Sequence, residues 1–304
     1  METFKNPLIS IITVTRNAGA HLETAIRSLI AQDYRHYELI VIDGASTDNT
    51  LDIIRSYQSY ITYWQSEPDG GANEAYNIGV RHARGELVAF LNADDRYEPE
   101  ILTEVANTYR QQPVDVVTCY TRIVNENWQS VAQFNKEKQL ALTLKNMLFA
   151  TPLTNGRFYR RGLFDRIGFL HPTRDDNYCY SADRDWLIRL ALQDVSYATV
   201  PQLGYTYLAH AGSITMSGAD DRQEKIFIEH LDMAKDFLSQ TLTRKQQKLF
   251  EWWYCDQAFR LCYLYFKMKN HTAARQVFKK MFSDYTAKSF LWGMRLFARR
   301  LKLI

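Results

Sequence analysis

The sequence predicts an α/β protein with a mostly parallel central sheet, helices on both of its faces, and an α-helical region at its C-terminal end. Three observations carry this expectation. Apolar, β-branched runs recur at Leu8–Thr15, Tyr37–Asp43 and Leu87–Asn92, and each stops on a polar or acidic residue, as strands buried on both faces do. Between them lie segments with apolar residues at helical spacing, and alternation at this pace means βαβ units. From Asp221 to Arg300 there is no proline and one glycine, Gly293, which leaves room for consecutive long helices.

Taken in order, Leu8–Thr15 is the first strand, ending in Arg16-Asn17-Ala-Gly19. Leu22, Ala25, Ile26, Leu29 and Ile30 then mark a helix over His21–Gln32. The second strand, Tyr37–Asp43, ends on a carboxylate and runs into a loop where Ser46, Thr47 or Asp48 can cap a helix through Ile54. A third strand, Ile61–Gln65, precedes Glu67-Pro-Asp-Gly-Gly71 and a helix from about Asn73 to Ala83. The run Leu87–Asn92 then meets Asp94 and Asp95. In open α/β sheets ligands sit outside the carboxyl ends of the strands, so these two acids stand at a binding edge. Adjacent carboxylates repel one another and are costly to desolvate, which a divalent cation offsets; alternatively, they form a solvated turn, with Asp95 capping a helix that starts near Glu98 and Pro99.

Neither Gly-x-Gly-x-x-Gly after the first strand nor a phosphate-binding Gly-x-x-x-x-Gly-Lys-Ser/Thr is present, so a bound diphosphate would need a metal held on the acids of the sheet edge. The net charge of +3 gives no argument for nucleic acid. Cys119, Cys179, Cys255 and Cys262 show no metal-binding or disulfide spacing. With no apolar leader and no apolar run of about 18 residues, the expectation is a cytoplasmic chain in which the sequon Asn270-His-Thr272 has no use.

The segments Ser10-Ile-Ile-Thr-Val-Thr-Arg-Asn17, Val41-Ile-Asp-Gly-Ala-Ser-Thr-Asp-Asn-Thr50, Ser66-Glu-Pro-Asp-Gly-Gly71 with Asn77-Ile-Gly79, and Phe90-Leu-Asn-Ala-Asp-Asp95 resemble, in order and spacing, the nucleotide-sugar half of family 2 glycosyltransferases with the GT-A fold. The resemblance implies a donor site with Thr15, Arg16 and Asn17 bordering the nucleotide, Asp43 on the base, and Asp69, Asn92 and Asp94 nearby. Asn92-x-Asp94 stands where the family carries Asp-x-Asp. Asp94 and Asp95 thereby become the ligand candidates for Mn²⁺ or Mg²⁺.

Beyond a helix at Ile101–Gln111, a strand at Val114–Tyr120, a hairpin over Thr121–Phe134, a helix over Leu140–Phe149 and a strand within Thr151–Arg160 are expected. The following Arg161–Phe169 stretch is similar to the family's acceptor-shaping segment. Ser181-Ala-Asp-Arg-Asp-Trp-Leu-Ile-Arg-Leu190 opens an amphipathic helix with Asp183 and Asp185 in its first turn, where Asp183 by spacing alone is an N-cap. The resemblance instead makes Asp183 the general base, with Ala182 replacing the acid that precedes it in the family, and places Asp185 and Arg189 on the acceptor side or in local structure. Tyr205–His210 is similar to the family's Tyr-x-x-His-x-Gly-Ser segment, which adds His210 as a metal or diphosphate ligand.

The expected division is residues 1–218 for the transferase unit, with a donor half of about 1–97 and an acceptor half of about 98–218, followed by a helical region at 219–304. Four helices are expected in the latter: Gln223–Leu238, Thr243–Lys267, Thr272–Ser283 and Ala287–Leu301. The last alternates aromatic and basic residues, which fits peripheral attachment to the inner face of a membrane as well as plain packing on the domain. The functional expectation is an inverting transferase moving a sugar from a UDP-type donor to a saccharide or lipid-linked saccharide in surface polysaccharide assembly. A non-catalytic nucleotide-binding scaffold with a partner- or membrane-binding C-terminus is the alternative, and a nucleotidyltransferase is a third reading.

Overall fold

The computed structural model describes residues 6–151, 153–171, 180–210, 220–284, 291, 292, 294 and 295. The first half is built from β1 (Ile9–Thr15), α1 (Leu22–Ile30), β2 (Tyr37–Asp43), α2 (Thr50–Ser56), β3 (Tyr63–Ser66), α3 (Ala72–His82) and β4 (Leu87–Phe90). These strands pair in parallel in the order β3-β2-β1-β4. β1, β2 and β4 are buried on both faces, which is why their sequences are continuous apolar runs rather than alternating ones.

The second half adds β5 (Arg96–Tyr97), α4 (Ile101–Gln111), β6 (Val116–Val124), β7 (Ser130–Phe134), α5 (Glu137–Leu140), α6 (Leu144–Phe149), β8 (Arg157–Arg160), α7 (Gly162–Ile167), α8 (Ala182–Leu192) and β9 (Tyr197–Leu208). The sheet continues from β4 through β8, β6 and β9 to β5. β8 runs antiparallel to both of its neighbours, while β9 lies parallel to β6. The β6–β7 hairpin pairs Thr121 with Phe134, as the loose alternation there predicts.

Three local expectations need correction. The helix after the two acids starts at Ile101 rather than near Glu98 and Pro99, because β5 pairs with β9 and Glu100 takes a left-handed conformation (φ 63°) first, so Asp95 is not its cap. The single helix expected over 140–149 is two, because Ala141 is extended and Thr143 caps a new helix by accepting from the Asn146 N–H at 3.2 Å. The strand expected from Thr151 is confined to Arg157–Arg160.

The C-terminal helices are α9 (Asp220–Leu238), α10 (Arg244–Lys267) and α11 (His271–Asp284). Thr243 opens α10 with a reciprocal capping box to Gln246. These helices build no core of their own: Phe237, Phe250, Trp253 and Leu264 join Ile12, Phe90, Tyr159 and Trp186 in one hydrophobic cluster. The expected final helix over 287–301 lies mostly outside the described residues. Of its residues, Trp292 stacks on Trp252 of α10 (ring centroids 4.2 Å apart) and meets Phe149 of α6 edge-on at 5.4 Å. Among the described residues no helix is long and apolar enough to cross a membrane.

Gly79 shows why one small residue of the donor half matters. A Cβ there would stand 2.4 Å from Ile12 Cγ2, so α3 can lie this close to β1 only with glycine. Gly79→Ala is expected to lose about 1–3 kcal/mol to overpacking, against at most about 1 kcal/mol gained in helix propensity. The check is urea unfolding, in which the midpoint should fall with an unchanged slope.

Candidate active site

The site forms where β1, β2 and β4 end. The loops after β1 and β2 interlock: the Asn17 N–H donates to Ser46 Oγ at 2.8 Å, the Ala18 N–H to Thr50 Oγ1 at 2.9 Å and the Gly19 N–H to Asp48 Oδ2 at 3.0 Å. Asn17 Oδ1 accepts in return from the Thr47 N–H at 2.8 Å. Asn17 sits at φ 52°, a conformation that asparagine tolerates better than most residues, and a Cβ on Gly19 would collide with Asn49 Oδ1 at 1.8 Å. Thr15 is buried with an unpartnered Oγ1, and Arg16 is exposed above it.

Asp43 is wholly enclosed (0% exposed). It accepts from Ser46 Oγ at 2.5 Å, the Ser46 N–H at 2.9 Å and Ser66 Oγ at 2.6 Å. Its carboxylate therefore ties the loop after β2 to the end of β3. Asp69 is half-buried over the same corner: it accepts the Gly71 N–H at 2.9 Å, and its carboxylate closes on Gly44.

The two adjacent acids have different surroundings. Asp95 is 2% exposed; its Oδ1 accepts the Leu208 N–H at 2.8 Å, and its Oδ2 accepts from the Tyr205 hydroxyl at 2.7 Å and from Asn92 Nδ2 at 2.8 Å. Burial, with Asp94 next to it, pushes its pKa well above the ordinary carboxylate range. These bonds tie the end of β4 to β9, so the expectation that Asp95 shares a metal departs from its geometry. Asn92, at the place of the motif's first acid, donates to Asp95 and accepts from the Tyr76 hydroxyl. An acid there would set a second carboxylate against Asp95 Oδ2.

Asp94 points the other way and is partly exposed. Its Oδ2 lies 2.9 Å from His210 Nε2, and the His210 ring is 4.9 Å, centroid to centroid, from that of His21 at the start of α1. One carboxylate and one imidazole nitrogen, completed by substrate phosphate oxygens and water, fit the way Mg²⁺ or Mn²⁺ is held in phosphate-handling sites. Among the described residues no set of three or more His, Cys, Asp or Glu side chains forms a closed cage.

Asp183 lies in the first turn of α8, half-buried, with the cap position taken by Ser181. Burial raises its pKa above the ordinary carboxylate range, an effect that the Arg184 charge and N–H only partly oppose. Tyr76 connects the two halves of the site. Burial first, then the charges of Asp95, Asp94 and Asp183, push its hydroxyl strongly upward, so all three carboxylates bear on one phenol.

Asp185 and Arg189 make a buried strut rather than an open surface. Arg189 Nε donates to Asp185 Oδ2 at 2.8 Å, and its other nitrogens donate to the carbonyls of Ile167 and Phe169. Of the two roles expected for them, local structure is the one their contacts fill. Arg160 and Arg161 are exposed, whereas Tyr159 packs edge-on against Trp186. Sequence reasoning did not single out Tyr76, Tyr205 or His21. Tyr205 falls inside the strand that leads to His210, but nothing in its sequence setting distinguishes it from a core tyrosine.

Comparison with known proteins places this geometry in a wider group. The family model described as Glycosyl transferase family 2 matches residues 10–168. An uncharacterized glycosyltransferase of Mycobacterium tuberculosis is 40% identical over 100 residues, covering 32% of this chain and 38% of its own. A PGL/p-HBAD biosynthesis glycosyltransferase of Mycobacterium bovis is 34% identical over 170 residues, covering 53% and 62%. The chain thus spans less than two thirds of these relatives. Among solved structures, S. aureus TarS 1-349 in complex with UDP-GlcNAc superposes with a TM-score of 0.65 at 21% identity, over 83% of this chain and 72% of that one. The mannosyltransferase PcManGT of Pyrobaculum calidifontis, in complex with GDP-Man and Mn²⁺, covers 99% of this chain and 81% of its own, with a TM-score of 0.59 at 17% identity. At these identities the superpositions establish the GT-A architecture.

Proposed function

The chain belongs to glycosyl transferase family 2, and from that premise we propose that it is an inverting glycosyltransferase that takes a sugar from a nucleoside diphosphate, UDP first, to a saccharide or lipid-linked saccharide in surface polysaccharide assembly. One observation carries the reading: Asp94 stands beside His210 just past the carboxyl ends of the parallel strands, and the charge of Asp183, with those of Asp94 and Asp95, reaches the buried Tyr76 hydroxyl that bonds Asn92 of that edge. This supports a reading in which a cation-binding acid and a proton-accepting acid serve one site.

In this reading the interlocked loops at Asn17–Gly19 and Ser46–Thr50 form the nucleotide wall, with Thr15, Arg16 and Asp69 at its border. Asp94 and His210 hold Mn²⁺ or Mg²⁺, which when bound supplies positive charge to the departing diphosphate. Asp183 accepts the proton of the acceptor hydroxyl as that oxygen attacks the anomeric carbon from the face opposite the diphosphate, and a single displacement of this kind inverts the configuration. The raised pKa strengthens Asp183 as a base. Asp95 and Asn92 keep the edge in register, and Arg184 clamps α8 to α6 through the carbonyls of Met147 (2.5 Å), Leu148 (3.2 Å) and Ala150 (3.3 Å). The UDP-GlcNAc and GDP-Man complexes of the two similar folds support a nucleotide-sugar donor without deciding the base or the sugar.

A thermal-shift panel of UDP, GDP and their sugars, with and without Mn²⁺, tests the donor site. A ligand that binds only the folded chain stabilises it by mass action, by about 2.7 kcal/mol at a hundredfold excess over Kd, and so raises the midpoint. The expected result is a metal-dependent rise with one nucleotide and its sugars. Absence of a shift with every nucleotide would overturn the proposal.

A further inference from the structure

Charge and apolar exposure are concentrated together in one part of this molecule. After Asp256 the sequence carries eleven Lys and Arg against a single acid, Asp284, leaving 26 Lys and Arg against 33 acids up to and including Asp256. The chain as a whole is nearly balanced, so this asymmetry is local. Six of those eleven, Arg260, Lys267, Lys269, Arg275, Lys279 and Lys280, lie in the α10–α11 hairpin, where Phe266 is 64% exposed and Tyr263, Met268 and Phe278 are also exposed.

The residues fall on a common surface for a geometric reason. Tyr263 and Phe266 are three apart on α10 and share a face; His271 and Phe278 are seven apart on α11 and do likewise. The Phe266 ring meets the His271 ring at 5.4 Å, which joins the two faces across the turn. Beside them Lys269, Arg275 and Lys279 are exposed, whereas Lys280, two residues past Phe278, lies on the other flank of α11, and Lys267 is 2.9 Å from Asp220. Exposed aromatics ringed by lysine stems are the two halves of interfacial binding: rings enter the headgroup boundary while ammonium groups stay with anionic lipid.

We propose that the α10–α11 hairpin is a docking surface for an anionic lipid bilayer. The lysines and arginine supply attraction to the surface, and Phe266, Met268 and Phe278 supply shallow insertion. Charge decides for lipid over a second copy of this chain, because two such faces brought together would oppose like charges. The apolar members decide for lipid over nucleic acid, whose binding is carried by phosphate contacts and does not require exposed Phe and Met at the tip. The inference does not depend on which donor or acceptor the site uses.

Co-sedimentation of the full chain with vesicles tests it. The protein should pellet with phosphatidylglycerol–phosphatidylcholine vesicles and stay in solution with phosphatidylcholine alone. Arg275→Glu with Lys279→Glu should weaken binding by roughly thirtyfold or more, since each basic residue near an anionic surface contributes about fivefold. Phe266→Ser with Phe278→Ser should abolish pelleting at physiological salt while the thermal midpoint and the nucleotide shift stay as in the wild type. Equal pelleting on neutral vesicles, or indifference to either pair of substitutions, would overturn the proposal. So would a lipid-independent dimer that the Phe variants turn into monomer, or salt-sensitive binding to duplex DNA that matches binding to anionic vesicles.

Discussion

Asp183→Asn is expected to lower turnover by about 10²–10⁴-fold, the range over which positioned general bases act, while leaving the nucleotide-induced thermal shift unchanged. The amide keeps the shape of the side chain and loses only the ability to take a proton. The substitution therefore removes an interaction made in the transition state and spares ground-state binding of the donor. The pH profile supplies a second readout. Because burial raises the pKa of Asp183, the acid limb of kcat/KM in the wild type should lie above the ordinary carboxylate range of about 3.9, and residual activity of Asp183→Asn should lack that limb. Near-wild-type turnover in the variant would remove Asp183 from the chemistry.

Asp94 and Asp95, neighbours in sequence, should fail in different ways. Asp95→Ala orphans the Tyr205 hydroxyl, the Leu208 N–H and the Asn92 amide together. Each buried group left unpaired costs about 1–3 kcal/mol, partly offset by no longer desolvating a carboxyl, so a net loss on the order of 3 kcal/mol is expected. Such a loss is a large share of the stability of an ordinary domain. The pH dependence has a definite sign. The folded chain holds the Asp95 proton more tightly than the unfolded chain does, so wild-type stability should decline as pH rises from about 4 toward the raised folded value. Asp95→Asn should flatten part of that decline. Asp94→Ala should keep the midpoint, ease the pH-dependent decline by removing the neighbouring charge that helps raise Asp95, and lose the Mn²⁺ dependence of donor binding, measured by calorimetry. Loss of folding in Asp94→Ala, or full stability in Asp95→Ala, would reverse the two roles.

Much of the architecture was legible in the residues because burial on both faces leaves a plain signature. β1, β2 and β4 are apolar runs ended by polar residues, and their positions along the chain follow from that pattern alone. The long helices α9 to α11 were equally legible from the lack of glycine and proline, since nothing there interrupts the helical period. The pieces that escaped are those in which neighbours outweigh local preference. β5 has only two residues and exists because β9 is beside it, and the break between α5 and α6 rests on the Thr143 cap.

The sequence by itself determined which chemical groups reach the sheet edge: strands of fixed period deliver Asn17, Asp43, Asp94 and Asp95 to their ends wherever the fold goes. It also determined the segregation of basic charge into the C-terminal helices. Only the tertiary structure decided what each group does there. Asp94 and Asp95 are indistinguishable as letters, yet the turn closed by the Asp95 N–H on the Asn92 carbonyl sends them apart, and Tyr205 and Leu208 of β9 claim one while His210 meets the other. Asp43 is likewise enclosed by Ser46 of the loop after β2 and Ser66 at the end of β3, and Asp185 by an arginine one helical turn away. A carboxylate's role is set by its solvation and its donors, and for Asp94 and Asp95 the deciding partners lie 110 to 116 positions away, which no local pattern records.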